Sequence, residues 1–352
     1  MEWRPSDGAD PVALLRSFLT SSGVDRRSTE AGDEAVVLMA GAAGCAAVAG
    51  LPLPPVSPCP AVPELVAIAV RRDDATTVIP AGRVHVGEWR TTWTDGQHAA
   101  AVEQVRQAIA RGDVYQANVV GHRSAPHSSA PVDVARAVAG IRAAYSGVVT
   151  GEGWAVGCAS PEQLVRVSGD RITTEPIKGT RPVGDGTHDE LLASAKDRAE
   201  HVMIVDLERN DLARVAMTGS VDVERLYRII RWSDLWQAES TISARLRPDV
   251  DVVDVLQAVV PGGSVTGAPK HAATRLLSQL EPVGRGPAMG ALGFVWPGGM
   301  DLGLTIRTVA VDAERVHLWA GGGITWGSDP ADEVAEAHAK AAPVLRTLGA
   351  TL

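Results

Sequence analysis

Apolar residues recur every three or four positions in several long stretches of the chain, which is the spacing of one face of an α-helix. The clearest stretch is Gln97–Gly112, where a glycine suited to a helix end closes the pattern. The same spacing predicts helices at Asp189–Val205, Val252–Val260 and Asp332–Leu348. The last of these predicted helices covers most of the carboxyl-terminal region.

Shorter runs of β-branched and other apolar residues, bounded by turn-forming residues, predict strands. Residues 31–70, rich in Ala, Gly, Val and Pro, predict loops and edge strands. The predicted strands are Val114–Val120, Val165–Ile172, Val221–Val223, Met289–Val295, Leu302–Val311 and Val316–Ala320. Because strands and helices come in blocks rather than in regular alternation, the pattern indicates an α+β fold.

Composition narrows the class of protein. The 352 residues are 45% hydrophobic, which is enough for a substantial core, and the net charge of −9 disfavours binding to nucleic acid or to an anionic membrane. The polar amino-terminal segment has no signal-peptide pattern, and no stretch is apolar enough to predict a membrane span. The cysteines, at positions 45, 59 and 158, are odd in number and lack metal-ligand spacing, so we expect neither disulfides nor a zinc site, and a reducing cytoplasm.

Two short segments carry candidate chemistry. In the segment 174–182, TEPIKGTRP, two prolines stiffen a backbone that holds Glu175 three positions before Lys178, so that the lysine can act as a nucleophile or base. The segment 261–270, PGGSVTGAPK, combines turn-forming and small residues that let backbone amides approach a ligand closely.

Acidic residues are spaced so that they share helix faces. Glu333, Glu336 and Lys340 project from one face of the last predicted helix, and Asp197 and Glu200 repeat this spacing in an earlier one. Two facing carboxylate pairs would suit Mg²⁺, which binds carboxylates together with waters and ligand oxygens. Ordinary solvated helix surface is the alternative that spacing alone leaves open.

These segments, together with the helical segment 196–212 and the glycine run with its following helix at 321–340, resemble the chorismate-utilising enzymes. They come in the family's order over roughly residues 97–345. The resemblance implies a fold of antiparallel sheets flanked by helices. It also implies a chorismate-binding catalytic domain at 96–352, with a shortened amino-terminal portion, 1–95, packed against it.

The resemblance further implies roles for individual residues. Lys178 would be the catalytic nucleophile and Glu175 the general acid. Glu200 and Glu336 would bind Mg²⁺, with Asp197 and Glu333 as direct or water-mediated partners. Arg307 would bind a substrate carboxylate, and the remaining residues predicted to bind substrate are Gly321, Gly322, Gly323, Thr180, Gln116, Gln237, Lys340 and Thr266.

Three positions bear on the branch of the family. Family members that add water to chorismate carry a lysine base where this chain has Gln116, and an amide is no base at neutral pH. Lys178 and Thr266 match the branch that aminates chorismate at C4 to form 4-amino-4-deoxychorismate, for p-aminobenzoate and folate or for a specialised metabolite. The resemblance implies ammonia from a separate glutamine amidotransferase subunit.

Two departures keep alternatives open. Gln237 stands where the family carries a histidine beneath the substrate ring, and Ala288 stands where a tyrosine or tryptophan is usual. These changes motivate a second hypothesis, a catalytically impaired chorismate-binding or regulatory subunit. The alternative within the enzymes is anthranilate synthase component I, which usually carries alanine at the position of Lys178.

Overall fold

A computed structural model describes residues 1–24, 33–71, 82–232 and 235–350, and within them two antiparallel sheets with helices packed around them. The larger sheet has ten strands in the order β1-β3-β2-β14-β15-β8-β9-β12-β10, with β11 paired to β12. Its strands are β1 (Glu2–Trp3), β2 (Glu34–Ala40), β3 (Leu65–Arg71), β8 (Gln163–Ser168), β9 (Arg171–Glu175), β10 (Ile177–Pro182), β11 (Asp222–Trp232), β12 (Leu235–Arg245), β14 (Ala291–Trp296) and β15 (Gly299–Leu304).

The smaller sheet has seven strands in the order β13-β5-β17-β16-β7-β6, with β4 paired to β5. Its strands are β4 (Arg90–Thr91), β5 (Gln116–Pro126), β6 (Tyr145–Gly151), β7 (Trp154–Ser160), β13 (Gly267–Ala268), β16 (Thr308–Val311) and β17 (Arg315–Ile324). The longest pairing in this sheet joins β5 and β17 in continuous register from Pro126 opposite Arg315 to Ala117 opposite Ile324.

Ten helices complete the described part of the chain. They are α1 (Pro11–Ser21), α2 (Ala42–Val48), α3 (Asp95–Arg111), α4 (Pro131–Ala139), α5 (Thr187–Ala193), α6 (Ala195–Ala213), α7 (Val252–Val259), α8 (Gly263–Thr266), α9 (Lys270–Leu280) and α10 (Pro330–Thr347). Within the described ranges, no helix has the length and apolar character needed to cross a bilayer.

The predicted α+β class with antiparallel sheets and flanking helices is confirmed. Three predicted helices correspond closely to α3, α7 and α10, because each has a clear amino-terminal cap. Thr94 accepts from the backbone of Gln97, Asp251 from Asp254, and Asp329 from Ala331 and Asp332. Strong caps at these ends explain why a periodic pattern alone located the helices well.

Three predicted elements were wrong because a local break divides each of them. The predicted helix Asp189–Val205 is two helices, since Ser194 has an extended backbone and caps α6. The predicted strand Val165–Ile172 is the hairpin β8–β9, which turns at Gly169 with a φ of 62°. The predicted strand Leu302–Val311 is divided between β15 and β16, which lie in different sheets.

The prediction for residues 31–70 also needs correction. It assigned loops and edge strands, whereas β2 lies inside the larger sheet between β3 and β14, and α2 follows it directly. The part of 31–70 at residues 31 and 32 lies outside the described residues. The proline-rich sequence after α2 masked the signal of a buried strand, whose side chains are buried on both faces of the sheet.

The main hydrophobic core joins both ends of the chain. It contains residues of the amino-terminal strands, such as Leu38 and Leu65, together with Met300 and Leu302 of β15 and Trp319 of β17. Residues 1–95 therefore contribute strands and core side chains continuous with those of the rest of the chain. The division of the chain at residue 95 stays a prediction.

Candidate active site

Lys178 lies on β10, where pairing with β12 shifts register between Ile177 and Thr180. Its Nζ donates a hydrogen bond to the carbonyl oxygen of Ser264, 3.1 Å away, in the one-turn helix α8. Burial lowers the pKa of Lys178, an effect that the nearby Glu162 carboxylate partly opposes. The environment therefore favours the neutral amine, which is the nucleophilic form.

Glu162 is the acid that the structure places beside this lysine. It follows β7 in a short connection to β8 and is only 7% exposed. The Ser264 hydroxyl donates to its Oε1 over 2.9 Å, and burial raises the pKa of Glu162 despite the opposing charge of Lys178. A carboxyl group with a raised pKa is suited to donate a proton.

Sequence reasoning did not select Glu162, although a signal was available. The polar segment 160–162, SPE, interrupts two runs of buried strand residues, and an acid there must find a buried partner. Lys178 and Ser264 supply the partners, but they come from segments distant in the chain. Spacing along the chain therefore offered Glu175 instead.

The structure places Glu175 away from the contacts of Lys178. Its Oε1 accepts a hydrogen bond from the Thr241 hydroxyl at 3.5 Å. Burial raises the pKa of Glu239, and the charge of Glu175 raises it further. The preceding residue, Thr174, points instead toward Glu208, and successive side chains of a strand face opposite sides. The groups acting on Lys178 are Glu162, Glu200, Glu336 and Lys340.

The glycine run lies within the regular strand β17 rather than in a turn. A Cβ atom at Gly323 would lie 2.2 Å from Gln116 Nε2 and 3.6 Å from Lys178 Nζ. A Cβ atom at Gly322 would lie 2.9 Å from Glu333 Oε2 and 3.6 Å from Glu336 Oε1. At Gly321 it would collide with the carbonyl oxygen of Val119 on β5. The glycines therefore make room for the polar side chains around them.

Two buried amides on β5 face this space. Gln116 is 2% exposed and Asn118 is 6% exposed. Asn118 Nδ2 donates to the Ser264 carbonyl oxygen at 3.0 Å. Neither amide oxygen accepts a hydrogen bond from any residue that the structure describes. Buried acceptors without a protein partner favour a ligand that donates hydrogen bonds.

The predicted metal-binding acids lie on α6 and α10. Glu333 is buried and accepts from the Ser328 hydroxyl at 2.6 Å, while Glu200 accepts from the Thr325 hydroxyl at 3.4 Å. Glu336 and Glu200 both act on the pKa of Lys178, so the two helices converge on one region. Asp197 is paired with Arg181 at 2.8 Å.

Lys340 belongs to the same region. Its Nζ contacts Glu336 Oε1 at 2.6 Å and donates to the Gly321 carbonyl oxygen at 3.1 Å. Both side chains of this ion pair are about half exposed, at 47% and 51%. The pair therefore lies at the solvent side of the carboxylate group, with buried Glu333 deeper in the protein.

Arg307 occupies the break between β15 and β16, with a φ of 50°. Burial lowers the pKa of its guanidinium, and Glu162 opposes that effect. Arg307 and Lys178 thus share one acidic neighbour. A left-handed backbone at a non-glycine residue is uncommon, and here it turns the chain from one sheet to the other.

The remaining predicted residues are placed as follows. Thr266 is buried in α8, Thr180 is exposed on β10, and Gln237 is buried on β12 directly opposite Thr180. The buried histidine near this strand is His201, whose Nε2 contacts the Ser240 hydroxyl at 2.6 Å. Ala288 is buried in the main core.

A buried ion pair fixes α8 against β5. Arg285 contacts Glu281 at 2.6 Å and donates to the carbonyl oxygens of Val265 and Asn118, at 2.8 and 2.5 Å. Glu281 accepts in turn from the backbone of Val120 at 3.1 Å. This ion pair therefore helps to position α8, whose Ser264 carbonyl oxygen accepts the hydrogen bond from Lys178.

Comparison with known proteins identifies the family of this chain. A family model described as chorismate binding enzyme matches residues 60–346. Anthranilate synthase component 1 of Haloarcula marismortui is 38% identical over 276 residues, covering 76% of this chain and 56% of that protein. Aminodeoxychorismate synthase component 1 of Bacillus subtilis is 34% identical over 270 residues, covering 74% of this chain and 57% of that protein. The chain spans about half the length of these curated relatives.

Solved structures share the fold. Anthranilate synthase component I of Streptococcus pneumoniae superposes with a TM-score of 0.82 at 24% identity, covering 97% of this chain and 89% of that one. The menaquinone-specific isochorismate synthase of Escherichia coli superposes with a TM-score of 0.70 at 20% identity, covering 99% and 93%. The family resemblance seen in the sequence motifs is confirmed, and the chain belongs to the chorismate-binding enzymes.

Proposed function

We propose that this chain aminates chorismate at C4 and so forms 4-amino-4-deoxychorismate. The observation that carries the proposal is the pair of Lys178 and Glu162, a buried amine with a lowered pKa beside a buried carboxyl group with a raised pKa. Both groups are biased toward their neutral forms. A neutral amine can attack carbon, and a protonated carboxyl group can release its proton to a departing hydroxyl.

The steps then balance as follows. The Lys178 Nζ lone pair forms a bond to C2 of the ring, both ring double bonds shift by one position toward C4, and the C4–O bond breaks. Glu162 gives its proton to the departing hydroxyl, which leaves as water. Ammonia then adds at C4, both double bonds shift back, and the C2–N bond to Lys178 breaks to release the neutral amine. Glu162, now a carboxylate, accepts the proton that the entering ammonia loses, and pyruvate stays on the ring.

We assign substrate binding to the groups around this pair. The half-buried Arg307 guanidinium provides the positive charge for a carboxylate of chorismate, through its planar fork of donors. Gln116 and Asn118 present buried amide oxygens to a hydroxyl-bearing ring. The glycines of β17 let the side chains of Gln116 and Lys178 approach the strand closely on the side of the site.

The acidic residues fit Mg²⁺, the metal ion that the family resemblance implies. A point beside Gly322 is within 2.9 Å of Glu333 Oε2 and 3.6 Å of Glu336 Oε1, and Glu200 approaches from α6. Mg²⁺ takes oxygen ligands and is commonly held by one or two carboxylates together with waters and substrate oxygens. Glu200, Glu333 and Glu336 would hold the ion, with Asp197 nearby, and the ion would neutralise the charge of a chorismate carboxylate. Lys340 must then release Glu336 in part.

Ammonia is expected to come from a glutamine amidotransferase partner, as the family resemblance implies. The three cysteines are buried and free, and burial raises the pKa of each of their thiols, so none is suited to be a glutaminase nucleophile. The product would serve p-aminobenzoate and folate synthesis, or a specialised metabolite, in the cytoplasm.

Anthranilate synthesis is the second candidate, because several relatives at 36–39% identity carry that name. That reaction also adds ammonia to chorismate but eliminates pyruvate. A lysine at position 178 is a group with no assigned task in that chemistry. An impaired chorismate-binding subunit, suggested by Gln237, would bind chorismate without converting it.

Purified protein incubated with chorismate, Mg²⁺ and a high concentration of ammonium separates these candidates. We expect aminodeoxychorismate from the wild type by chromatography with mass detection, and at least a ~10²-fold lower rate from Lys178→Ala. Anthranilate as the product would overturn the proposal in favour of the second candidate. Chorismate binding without turnover, at equal folded content, would support the impaired subunit.

A further inference from the structure

Cys59, Asp312 and His317 meet in the protein interior, and none of them belongs to the site around Lys178. Cys59 lies in the connection between α2 and β3, whereas Asp312 and His317 lie at the hairpin of β16 and β17. One ligand atom from each lies within 4.8 Å of the other two. The cluster thus joins the amino-terminal portion to the smaller sheet.

The distances are compatible with metal coordination as well as with a thiol hydrogen bond from Cys59 to Asp312. Asp312 Oδ2 lies 3.6 Å from Cys59 Sγ and 3.6 Å from His317 Nε2. The nitrogen–oxygen distance is beyond hydrogen-bond range. In a tetrahedral zinc site, bonds of about 2.3 Å to sulfur and about 2.0 Å to nitrogen or oxygen place neighbouring ligand atoms roughly 3.4–3.6 Å apart. Both distances to Asp312 Oδ2 are close to this spacing, and the ligand atoms of Cys59 and His317 lie within 4.8 Å of each other.

Surrounding hydrogen bonds aim the ligand atoms at a common point. Asp312 Oδ1 accepts from the backbone of Glu314 and Arg315, at 2.9 and 2.8 Å, which leaves Oδ2 turned toward Cys59 and His317. This use of one carboxylate oxygen by the hairpin fixes the direction of the other. Such outer contacts are typical of metal sites.

His317 is oriented by a chain of buried groups. Its Nδ1 lies 3.1 Å from His122 Nε2, and His122 Nδ1 lies 2.5 Å from the Thr92 hydroxyl oxygen. If each Nδ1 carries the proton, both contacts are satisfied and the lone pair of His317 Nε2 points into the cluster. That nitrogen is buried and has no hydrogen-bond partner among the described residues. A ligand-competent imidazole needs this tautomer.

Among the three side chains of the cluster, Asp312 is the most exposed to solvent. Cys59 is 0% exposed and the His317 side chain 3% exposed, whereas the Asp312 side chain is 22% exposed. An ion, and a water molecule as its fourth ligand, can therefore arrive past Asp312. The donor set of thiolate, imidazole and carboxylate suits zinc-type ions and excludes the all-oxygen coordination that Mg²⁺ prefers.

We propose that Cys59, Asp312 and His317 bind one divalent ion of the zinc class. The Cys59 S–H proton passes to solvent as the sulfur–metal bond forms, so binding releases one proton. The ion links the connection before β3 to the hairpin of the smaller sheet. It stabilises the fold, and it is separate from the Mg²⁺ proposed for Glu200, Glu333 and Glu336.

Titration with Co²⁺ tests this directly. Full-length protein made without a histidine tag is stripped with a chelator and titrated while its absorption spectrum is recorded. We expect one equivalent of Co²⁺ to give tetrahedral d–d bands and a thiolate-to-cobalt charge-transfer band, both removed by Zn²⁺. Zn²⁺ is also expected to raise the Tm of the stripped protein.

Variants locate the site. Cys59→Ser is expected to abolish the charge-transfer band, whereas Cys45→Ser, a change at another buried free cysteine, should keep it. His122→Ala should weaken Co²⁺ binding about 10–100-fold, as loss of an outer hydrogen bond to a ligand does. Asp312→Asn serves as a second ligand variant if circular dichroism finds Cys59→Ser unfolded.

Two outcomes would overturn the inference. If the wild-type protein shows no thiolate-to-cobalt charge-transfer band at stoichiometric Co²⁺, then Cys59, Asp312 and His317 form only a packed, hydrogen-bonded cluster. A band lost equally in Cys45→Ser and Cys59→Ser means that the metal binds elsewhere. Binding to the carboxylates of the proposed Mg²⁺ site cannot mimic the result, because it gives no sulfur charge transfer.

Discussion

Burial acts in opposite directions on the two reactive side chains of the site. It lowers the pKa of Lys178 and raises that of Glu162, because in each case the low-dielectric surroundings disfavour the charged form. The attraction between the two charged forms opposes both shifts. The protein thus holds an amine and a carboxyl group side by side, with the neutral form of each favoured by its surroundings.

The identity of the proton donor can be tested with a matched pair of variants. Glu162→Gln removes the proton that the departing hydroxyl takes, so we expect the rate of C4 amination to fall about 10²–10⁴-fold. Glu175→Gln changes an acid whose hydrogen-bond contact is with Thr241, and its rate should stay within a few-fold of wild type. Steady-state kinetics with chorismate measures both; a larger loss in Glu175→Gln would restore the assignment made from sequence.

The same pair predicts a pH dependence. Neutral Lys178 becomes more abundant as pH rises, with its titration shifted to lower pH, while protonated Glu162 becomes less abundant, with its titration shifted to higher pH. The rate is proportional to the product of the two fractions, so the profile should be bell-shaped. It should be recorded at a constant concentration of neutral ammonia. Glu162→Gln should lose the falling limb, and an unchanged bell in that variant would contradict the assignment.

At the scale of elements, strand β17 does two tasks. It pairs with β5 over its whole length, and its glycines leave room for the side chains of Gln116, Lys178, Glu333 and Glu336. A strand normally fills such space with side chains on alternate faces. The glycine run therefore lowers the local propensity for a strand, and it also leaves room for the side chains of the site.

Gly323→Ala tests whether that volume is needed. The new methyl group would lie 2.2 Å from Gln116 Nε2, so the buried amide must move, and we expect at least a ~10-fold loss of rate with about 1–3 kcal/mol lower stability. Gly147→Ala is the matched control, since Gly147 also lies within a strand but has nothing within 4 Å of its Cβ position. Kinetics and urea unfolding should leave the control unchanged. Equal effects in the two variants would show that only strand geometry matters.

At the scale of the whole molecule, the site is assembled from both sheets and from the helices around them. Lys178 comes from the larger sheet, Gln116 and Gly323 from the smaller one, Glu200 from α6 and Glu336 from α10. The buried pair of Arg285 and Glu281 ties the α8 turn to β5 at the centre of this arrangement. Catalysis therefore depends on the relative placement of the two sheets.

Removal of Mg²⁺ should abolish activity without unfolding the protein. We expect a chelator to abolish amination and added Mg²⁺ to restore it, because the proposed ion offsets the charge of three carboxylates and of the substrate. Glu200→Gln should demand a higher Mg²⁺ concentration for half-maximal rate, while its circular dichroism stays that of the wild type. Full activity in chelator would rule out the proposed metal role.

Much of the local structure could be predicted from sequence. Helices with strong caps, such as α3 and α10, were located because capping and periodicity are local properties. Predictions failed where a single residue broke a continuous pattern, as Ser194 does between α5 and α6 and Arg307 does between β15 and β16. Each of these segments is divided because its two halves pack against different sheets or helices. A short stretch of sequence does not contain that information.

The sequence by itself determined the family, the α+β class and the presence of Lys178 in a constrained segment, because motif order and residue type survive without coordinates. Only the tertiary structure decided which acid faces that lysine. It also brought Cys59 next to Asp312, 253 residues further along the chain, where the cysteine spacing had predicted no metal site. The physical reason is that the desolvation of a side chain and its ability to bind a metal depend on its neighbours in space. The packing of the two sheets determines those neighbours.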